Sequence, residues 1–297
     1  MPLRRRQLVG RFRVLAHLAR GGASDVYRAY DTEVCDEVAL KIAHRRSAVG
    51  ARADSAHGAA AHEAHTLMSL AHPHVLPVRA ASVWRGHWVL ATPLGVSDLA
   101  DRMTRRMSAE RARGLALQLL EALAFAHSRQ VAHLDVKPQN AILFAGDRLC
   151  LSDFGIARRL TRPCWASGSG TIGYLAPEQA LGRPSLRSDV FSAGLVVWEL
   201  FSRHVPMWPF AWPYTGAARI ERDHGAATLA VLRRATTVRD SARFVDAGAF
   251  LAALRNALEA ALEGALAATH VDALGNTRAA RRKRAARVRS APASRAA

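Results

Sequence analysis

Four polar residues near the middle of the chain have the types and spacing for work on a phosphate. Asp135, Lys137 and Asn140 fall within the run His133-Leu134-Asp135-Val136-Lys137-Pro138-Gln139-Asn140, and Asp153 follows eighteen residues after Asp135 in Asp153-Phe154-Gly155. Moving a phosphoryl group onto a hydroxyl needs one carboxylate to orient that hydroxyl and take its proton. It also needs oxygen ligands that hold Mg2+ against the phosphates. Asp135 suits the first task, and Asn140 and Asp153 suit the second. Lys137, two residues past Asp135, can reach a γ-phosphate and offset charge in the transition state.

Such residues need a scaffold, and the rest of the sequence indicates which. With 297 residues and 50% hydrophobic composition the chain can build a sizeable core, as one large domain or as two lobes. From Arg11 to Leu90 strand-like runs dominate: Phe12-Arg13-Val14-Leu15, Asp25 to Ala29, Glu37 to Ile42, and Trp84 to Leu90. An Ala-rich stretch from Ala51 to Leu70, with Glu63, Leu67 and Leu70 at helical spacing, inserts one helix among them. Beyond this the signals are helical. Ser108-Ala109-Glu110 opens a helix to about His127, and Ser188 to Leu200 is apolar nearly all round, as a buried central helix is. Ala226 to Arg234 and Ala247 to about Ala268 complete the helical part. The expected class is α+β, a small antiparallel β-sheet lobe with one helix followed by a larger, mainly helical lobe. The expected divisions are a basic N-terminal segment over 1–10, the first lobe over 11–90, the second over 91–268 and a basic tail over 269–297. The tail has almost no large apolar residue and is expected to be disordered.

The net charge of +18 is high, and part of it sits at the two ends, at Arg4, Arg5 and Arg6 and from Arg278 to Arg295. Such a charge points to acidic partners: nucleic acid, an anionic surface or an acidic protein. No aromatic residue is interleaved with the tail arginines, which disfavours base stacking, and a solubilising or protein-docking tail fits equally well. Cys35, Cys150 and Cys164 are too few for a disulfide framework, so a reducing compartment is expected. No apolar run follows the basic start, and the stretch from Ala247 is broken by Arg255, Glu259 and Glu263. Neither a signal peptide nor a membrane span is expected, and the expected location is cytoplasmic.

The run His133 to Asn140, with Asp153-Phe154-Gly155 after it, resembles the signature of the eukaryotic-type (bacterial-like) serine/threonine protein kinases. The resemblance covers roughly Arg11 to Leu254 and implies the bilobal protein-kinase-like fold, ATP and Mg2+ (or Mn2+) as cofactors, and protein substrates bearing Ser or Thr. By resemblance, Lys41 in Val38-Ala39-Leu40-Lys41 contacts the α- and β-phosphates and Glu63 is its ion-pair partner. Leu18 to Tyr27 stands where the family's glycine-rich loop covers the phosphates, with Gly21 and Gly22 retained. Leu18, Val26, Ala39 and Ile142 would sandwich the adenine, Leu90 would guard the back of its pocket, and Ala91-Thr92-Pro93 would be the hinge that bonds the base edge. The same residues fit an ordinary core. Gly170 to Glu178 resembles the end of an activation segment, with Thr171 bridging Asp135 and Lys137 and with Glu178 pairing with Arg243. Asp189 would anchor the catalytic loop through backbone amides around His133.

Departures from the family pattern narrow the reading. Ala19 and Ser24 replace two loop glycines. Leu134 stands where many members carry an arginine that pairs with a phosphate on the activation segment, so activity is expected not to depend on that phosphate. The stretch from Phe210 to Arg243 is short for the family, and the aromatics from Pro206 to Tyr214 suit either the cover of a helix end or a docking surface. His57, His62, His65, His72 and His74 cluster in sequence, and His62 and His65 lie one helical turn apart, as a metal site would need, although His72-Pro73-His74 fits a structural turn of the family and the others an exposed helix face. The leading expectation is an active kinase. The alternatives are a pseudokinase acting as a scaffold or binding module, and a phosphotransferase for small molecules.

Overall fold

The computed structural model describes residues 3–21, 24–44, 70–154, 158–159 and 173–264, with the backbone alone at 158–159. Gly22, Glu63, Gly155, Thr161, Ser167, Ser169, Thr171, His57, His62, His65 and the basic tail lie outside the described residues. So does nearly all of the helix expected over 51–70.

The first lobe is an antiparallel sheet of six strands in the order β1-β2-β3-β4-β6-β5. These are β1 (Leu8–Val9), β2 (Phe12–Arg20), β3 (Ser24–Asp31), β4 (Asp36–Ala43), β5 (Ala80–Trp84) and β6 (His87–Pro93). Side chains alternate across a strand. Val38, Leu40 and Ile42 are therefore buried with Tyr27, Ala29 and Val89 in one core, and Ala39 and Lys41 face the other way. Directly opposed residues share a face, so the pairings Val26↔Lys41 and Lys41↔Leu90 set Val26, Lys41 and Leu90 in one cross-strand row. The stretch Trp84 to Leu90, read above as one strand, is instead a hairpin. Arg85 and Gly86 both take positive φ, 48° and 77°, and make a turn between β5 and β6. Trp84 and His87 oppose each other across the turn, so the face-to-face alternation changes phase there.

The chain leaves the sheet after Pro93. A small sheet of order β10-β9-β7 follows, from β7 (Ser97–Asp98), β9 (Ala141–Phe144) and β10 (Arg148–Leu151), and β8 (Val131–Ala132) pairs with β11 (Arg158–Arg159). The helices of this lobe begin with α1 (Leu99–Met103) and α2 (Ala109–Ser128), the latter capped by the Ser108 hydroxyl, which accepts from the Arg111 amide. Next come α3 (Pro177–Ala180), α4 (Leu186–Ser202), α5 (Ala217–His224), α6 (Ala226–Ala235) and α7 over 247–264. α4 is the central helix expected from its apolar circumference. It opens with a reciprocal cap between Ser185 and Ser188 and ends at Arg203 in the left-handed region, φ 65°. Leu115, Leu119 and Leu123 of α2 meet Val190, Val197 and Trp198 of α4 in the main core. α5 was not anticipated. Its buried Ile220 and His224, four apart on one face, were the available signal. In the aromatic stretch Tyr214 is buried and Phe210 packs on Phe191, whereas Met207 and Trp208 stay exposed. Among the described residues no helix is long and apolar enough to cross a membrane.

Candidate active site

Asp189 is the point from which the site is built. It lies in the first turn of α4, is fully buried, and accepts three hydrogen bonds: from the His133 amide at 2.6 Å, the Leu134 amide at 2.7 Å and His127 Nε2 at 2.9 Å. A buried carboxylate needs such partners. The backbone amides around His133 were expected, whereas His127 was not. The Ala247 amide donates to His127 Nδ1 at 3.0 Å, so the ring proton sits on Nε2 and points at Asp189. One histidine of α2, through Asp189, thus ties the His133–Leu134 segment to the start of α7.

The residue before Asp135 is held on both sides. Leu134 gives its amide to Asp189, and its carbonyl accepts from Gln179 Nε2 of α3 at 2.7 Å. Its backbone lies in the left-handed region, φ 66°, as does that of Asp153, φ 62°. For residues other than glycine this costs on the order of 1–3 kcal/mol each, and such strain concentrates at functional sites. It turns Asp135 and Asp153 away from the paths their strands would otherwise take. Behind them His133 packs at a tilt against the buried Phe154, ring centroids 4.5 Å apart, and its Nε2 meets the Ser152 carbonyl at 2.9 Å.

The polar groups converge in front of this framework. Lys137 Nζ donates to Asp135 Oδ2 at 2.7 Å. Asn140 Nδ2 donates to the Asp135 carbonyl at 2.8 Å and to its Oδ2 at 3.1 Å. Lys41 Nζ, from the first lobe, donates to Asp153 Oδ1 at 2.8 Å. Burial works against ionising Asp153, but the charge and hydrogen bond of Lys41, with His133 and Lys137 nearby, hold its carboxyl below the usual range. The donor set fits a hard divalent cation. Asp153 is an ionised carboxylate, and Asn140 spends its N–H groups on Asp135, which leaves its amide oxygen as the atom to offer.

Around this centre Lys41 and Leu90 are direct neighbours across the β4–β6 pair, and Val26 neighbours Lys41 across β3–β4. Leu18 is half exposed, and Val26, Ala39, Pro93 and Ile142 are partly exposed, as the lining of an open cleft is. Ala91 is buried. The expected hinge is the end of β6: Ala91, Thr92 and Pro93 oppose Leu40, Ala39 and Val38, and the Ala91 carbonyl accepts from the Arg79 amide at 2.8 Å. Pro93 has no N–H to give a base. Gly21 turns β2 into β3, its amide donating to the Ser24 carbonyl at 2.8 Å. Gly95 was missed in the sequence. A Cβ there would stand 2.2 Å from Ile142 Cγ2 and 2.9 Å from the Leu143 carbonyl, so only glycine allows this approach.

Glu178 and Arg243 form the expected pair, at 2.8 and 3.0 Å. Arg243 also donates to the carbonyls of Thr237, Arg187 and Val238, so all five of its N–H groups are used, and Ser188 donates to Glu178 at 2.7 Å. His72 and His74 are structural: His74 Nδ1 meets the Leu149 carbonyl and His72 stacks on Phe125.

Comparison with known proteins agrees with this geometry. Residues 12–222 match the protein kinase domain. A probable serine/threonine-protein kinase of Streptomyces coelicolor is 32% identical over 217 residues, 68% of this chain and 31% of that protein. The serine/threonine-protein kinase pkn2 of Myxococcus xanthus is 33% identical over 240 residues, 75% of this chain and 28% of that protein. The chain spans less than a third of the length of either. The crystal structure of the Mycobacterium tuberculosis PknI kinase domain has the same fold, with a TM-score of 0.67 at 23% identity over 86% of this chain and 100% of that one. A match across most of the chain, joined to this bilobal architecture, means that the protein belongs to the protein kinase domain family.

Proposed function

We propose that the chain transfers the γ-phosphoryl of MgATP to serine or threonine hydroxyls of proteins, and that it does so without a phosphate on the segment between Asp153 and Glu178. The observation that carries the reading is the convergence of Lys41 and Asp153 at 2.8 Å beside the Asp135–Lys137–Asn140 cluster. Two lobes that meet through a cation and a carboxylate above a second carboxylate have the parts that phosphoryl transfer needs.

MgATP, when bound, supplies the electrophilic phosphorus and the leaving group. The chain's residues do the rest. Asp135 orients the acceptor hydroxyl and takes its proton as the new P–O bond forms. Lys137 offsets the charge that grows on the transferred group, and Lys41 does the same for the phosphates that stay behind. Asp153 and Asn140 would hold the cation. Val26, Ala39, Leu90 and Ile142 would enclose the base, with Gly21 over the phosphates.

Independence from a phosphate rests on Leu134. Its side chain is buried and uncharged, and its backbone is already fixed by Asp189 and Gln179, so Asp135 is oriented from within the fold. The test is transfer of labelled phosphate by the wild type and by the Thr161→Ala/Ser167→Ala/Ser169→Ala variant. Equal rates support the reading, and a large loss of rate in a folded variant refutes it. A chain that binds nucleotide and labels no acceptor would be the scaffold instead.

A further inference from the structure

A second cavity lies in the helical lobe, away from the Lys41–Asp153 contact. It holds about 80 Å³ and is enclosed by the α1–α2 turn, the end of α4 and α5. Met103, Met107, Leu200 and Phe201 supply apolar wall, and Arg105, Arg203 and Arg219 stand among the lining residues.

The charges there are unbalanced. Among the described residues neither Arg105 nor Arg203 has a carboxylate partner, and the Arg203 side chain makes one hydrogen bond, to the Arg105 carbonyl at 3.2 Å. Two carboxylates reach the cavity, and both are engaged. Glu199 accepts from the Tyr174 hydroxyl at 2.5 Å, and Asp223 is shared by Arg222 at 2.9 Å and Arg219 at 3.4 Å. Burial raises the Glu199 pKa above its ordinary value, which weakens its claim as a fixed negative charge. His224 is stacked on Phe201 and accepts from Arg113, so it adds no proton at neutral pH. Arg102 stands close by, and burial together with Arg111, Arg105 and Arg203 lowers its pKa. Gathering cations that repel one another is costly unless an anion joins them.

Two of the elements that line the cavity also reach the site. α1 packs on the Pro138–Asn140 turn, and Glu199 holds Tyr174, which stands shortly before the Gln179 that fixes Leu134. We propose that this cavity is a subsite for an anionic side chain of the protein substrate, a carboxylate or a phosphate already present, so that acidic segments are preferred. The proposal deepens the kinase reading and rests on it. The net charge of +18 acts in the same direction, drawing acidic chains to the surface.

The test uses the full chain with MgATP and peptides that share one acceptor serine in a neutral frame, with Asp, phosphoserine or Arg placed at successive flanking positions. At one position Asp or phosphoserine should raise kcat/KM on the order of tenfold over the neutral peptide, the worth of one charged hydrogen bond. In the Arg105→Glu/Arg203→Glu variant, shown to be folded by its thermal transition, that ratio should fall to one or below. Phosphoserine well above Asp would identify a primed substrate, and equal gains an acidic one. A ratio of one in the wild type, a preference for Arg, or a ratio unchanged in the variant would overturn the proposal. Should no peptide be labelled, the kinase reading itself fails. Anisotropy of the same peptides, fluorescently labelled, then decides the subsite by whether the acidic one binds more tightly than the neutral and loses this advantage in the variant.

Discussion

Lys41 Nζ lies 2.8 Å from Asp153 Oδ1, a contact between residues 112 apart in the chain that joins the sheet lobe to the helical lobe. Lys41 is placed by the β3–β4–β6 ladder, and Asp153 by a left-handed backbone backed by Phe154. Asp153→Asn keeps the size of the side chain and removes its charge. Rates of transfer should fall by about 10²–10³, the cost of losing one charge-stabilising group, while the thermal transition changes little. Initial rates beside a melting curve check both halves.

Asp189→Asn replaces one acceptor oxygen by a donor that faces the amides of His133 and Leu134 and the ring of His127. At least one buried donor is left without a partner, which costs about 1–3 kcal/mol. Urea unfolding should show that loss, and activity should drop with it because Leu134 and Asp135 move together. His127→Phe should give a smaller loss of the same kind.

Arg243→Lys is not conservative in this position. Five N–H groups in a planar fork become three on a point charge, and Glu178 and the carbonyls of Thr237, Arg187 and Val238 cannot all be served. A loss of about 1–3 kcal/mol, as for a buried acceptor left unserved, is expected on unfolding. Arg243→Met, which breaks the buried pair, should cost more, about 3–5 kcal/mol, and pairing it with Glu178→Leu should recover part of the loss.

Gly95→Ala should raise the KM for ATP more than it lowers kcat, because its new Cβ would displace Ile142, a proposed wall of the base pocket, and press on the Leu143 backbone. Strain of this kind costs about 1–3 kcal/mol. Steady-state kinetics in ATP separates the two parameters.

His224 makes stability depend on pH. Burial first, then Arg113, lowers its pKa from 6.5 to about 4, against the opposing pull of Asp223. A base whose pKa is depressed in the folded state binds fewer protons there than when unfolded. Its contribution is therefore complete above pH 6.5 and is lost as pH falls from 6.5 towards 4. The melting temperature should fall through this window less steeply in His224→Phe, which keeps the stack on Phe201, than in the wild type.

Much of this was legible in sequence because the family signature is local. Asp135, Lys137 and Asn140 sit within one turn-and-loop run, and the alternation of β4 alone predicts that Lys41 faces away from Leu40. The Glu178–Arg243 pair and the buried Asp189 followed from resemblance. What escaped was set by contacts distant in sequence. Nothing in the neighbourhood of His127 says that its two nitrogens join residues 189 and 247, nor does Gln179 announce that it holds Leu134. Gly95 is one of many glycines until Ile142 is placed against it. The Arg85-Gly86 turn was hidden because aromatic and β-branched residues flank it closely on both sides, and α5 because only eight residues carry its pattern.

The most direct measurement is transfer of labelled phosphate from MgATP by purified protein, to itself and to a mixed set of acidic and basic protein acceptors, beside Lys41→Ala and Asp153→Ala. Label is expected on serine or threonine for the wild type, with none above background for either variant. Wild-type label no greater than that of the two variants, with all three proteins folded, would contradict the kinase reading.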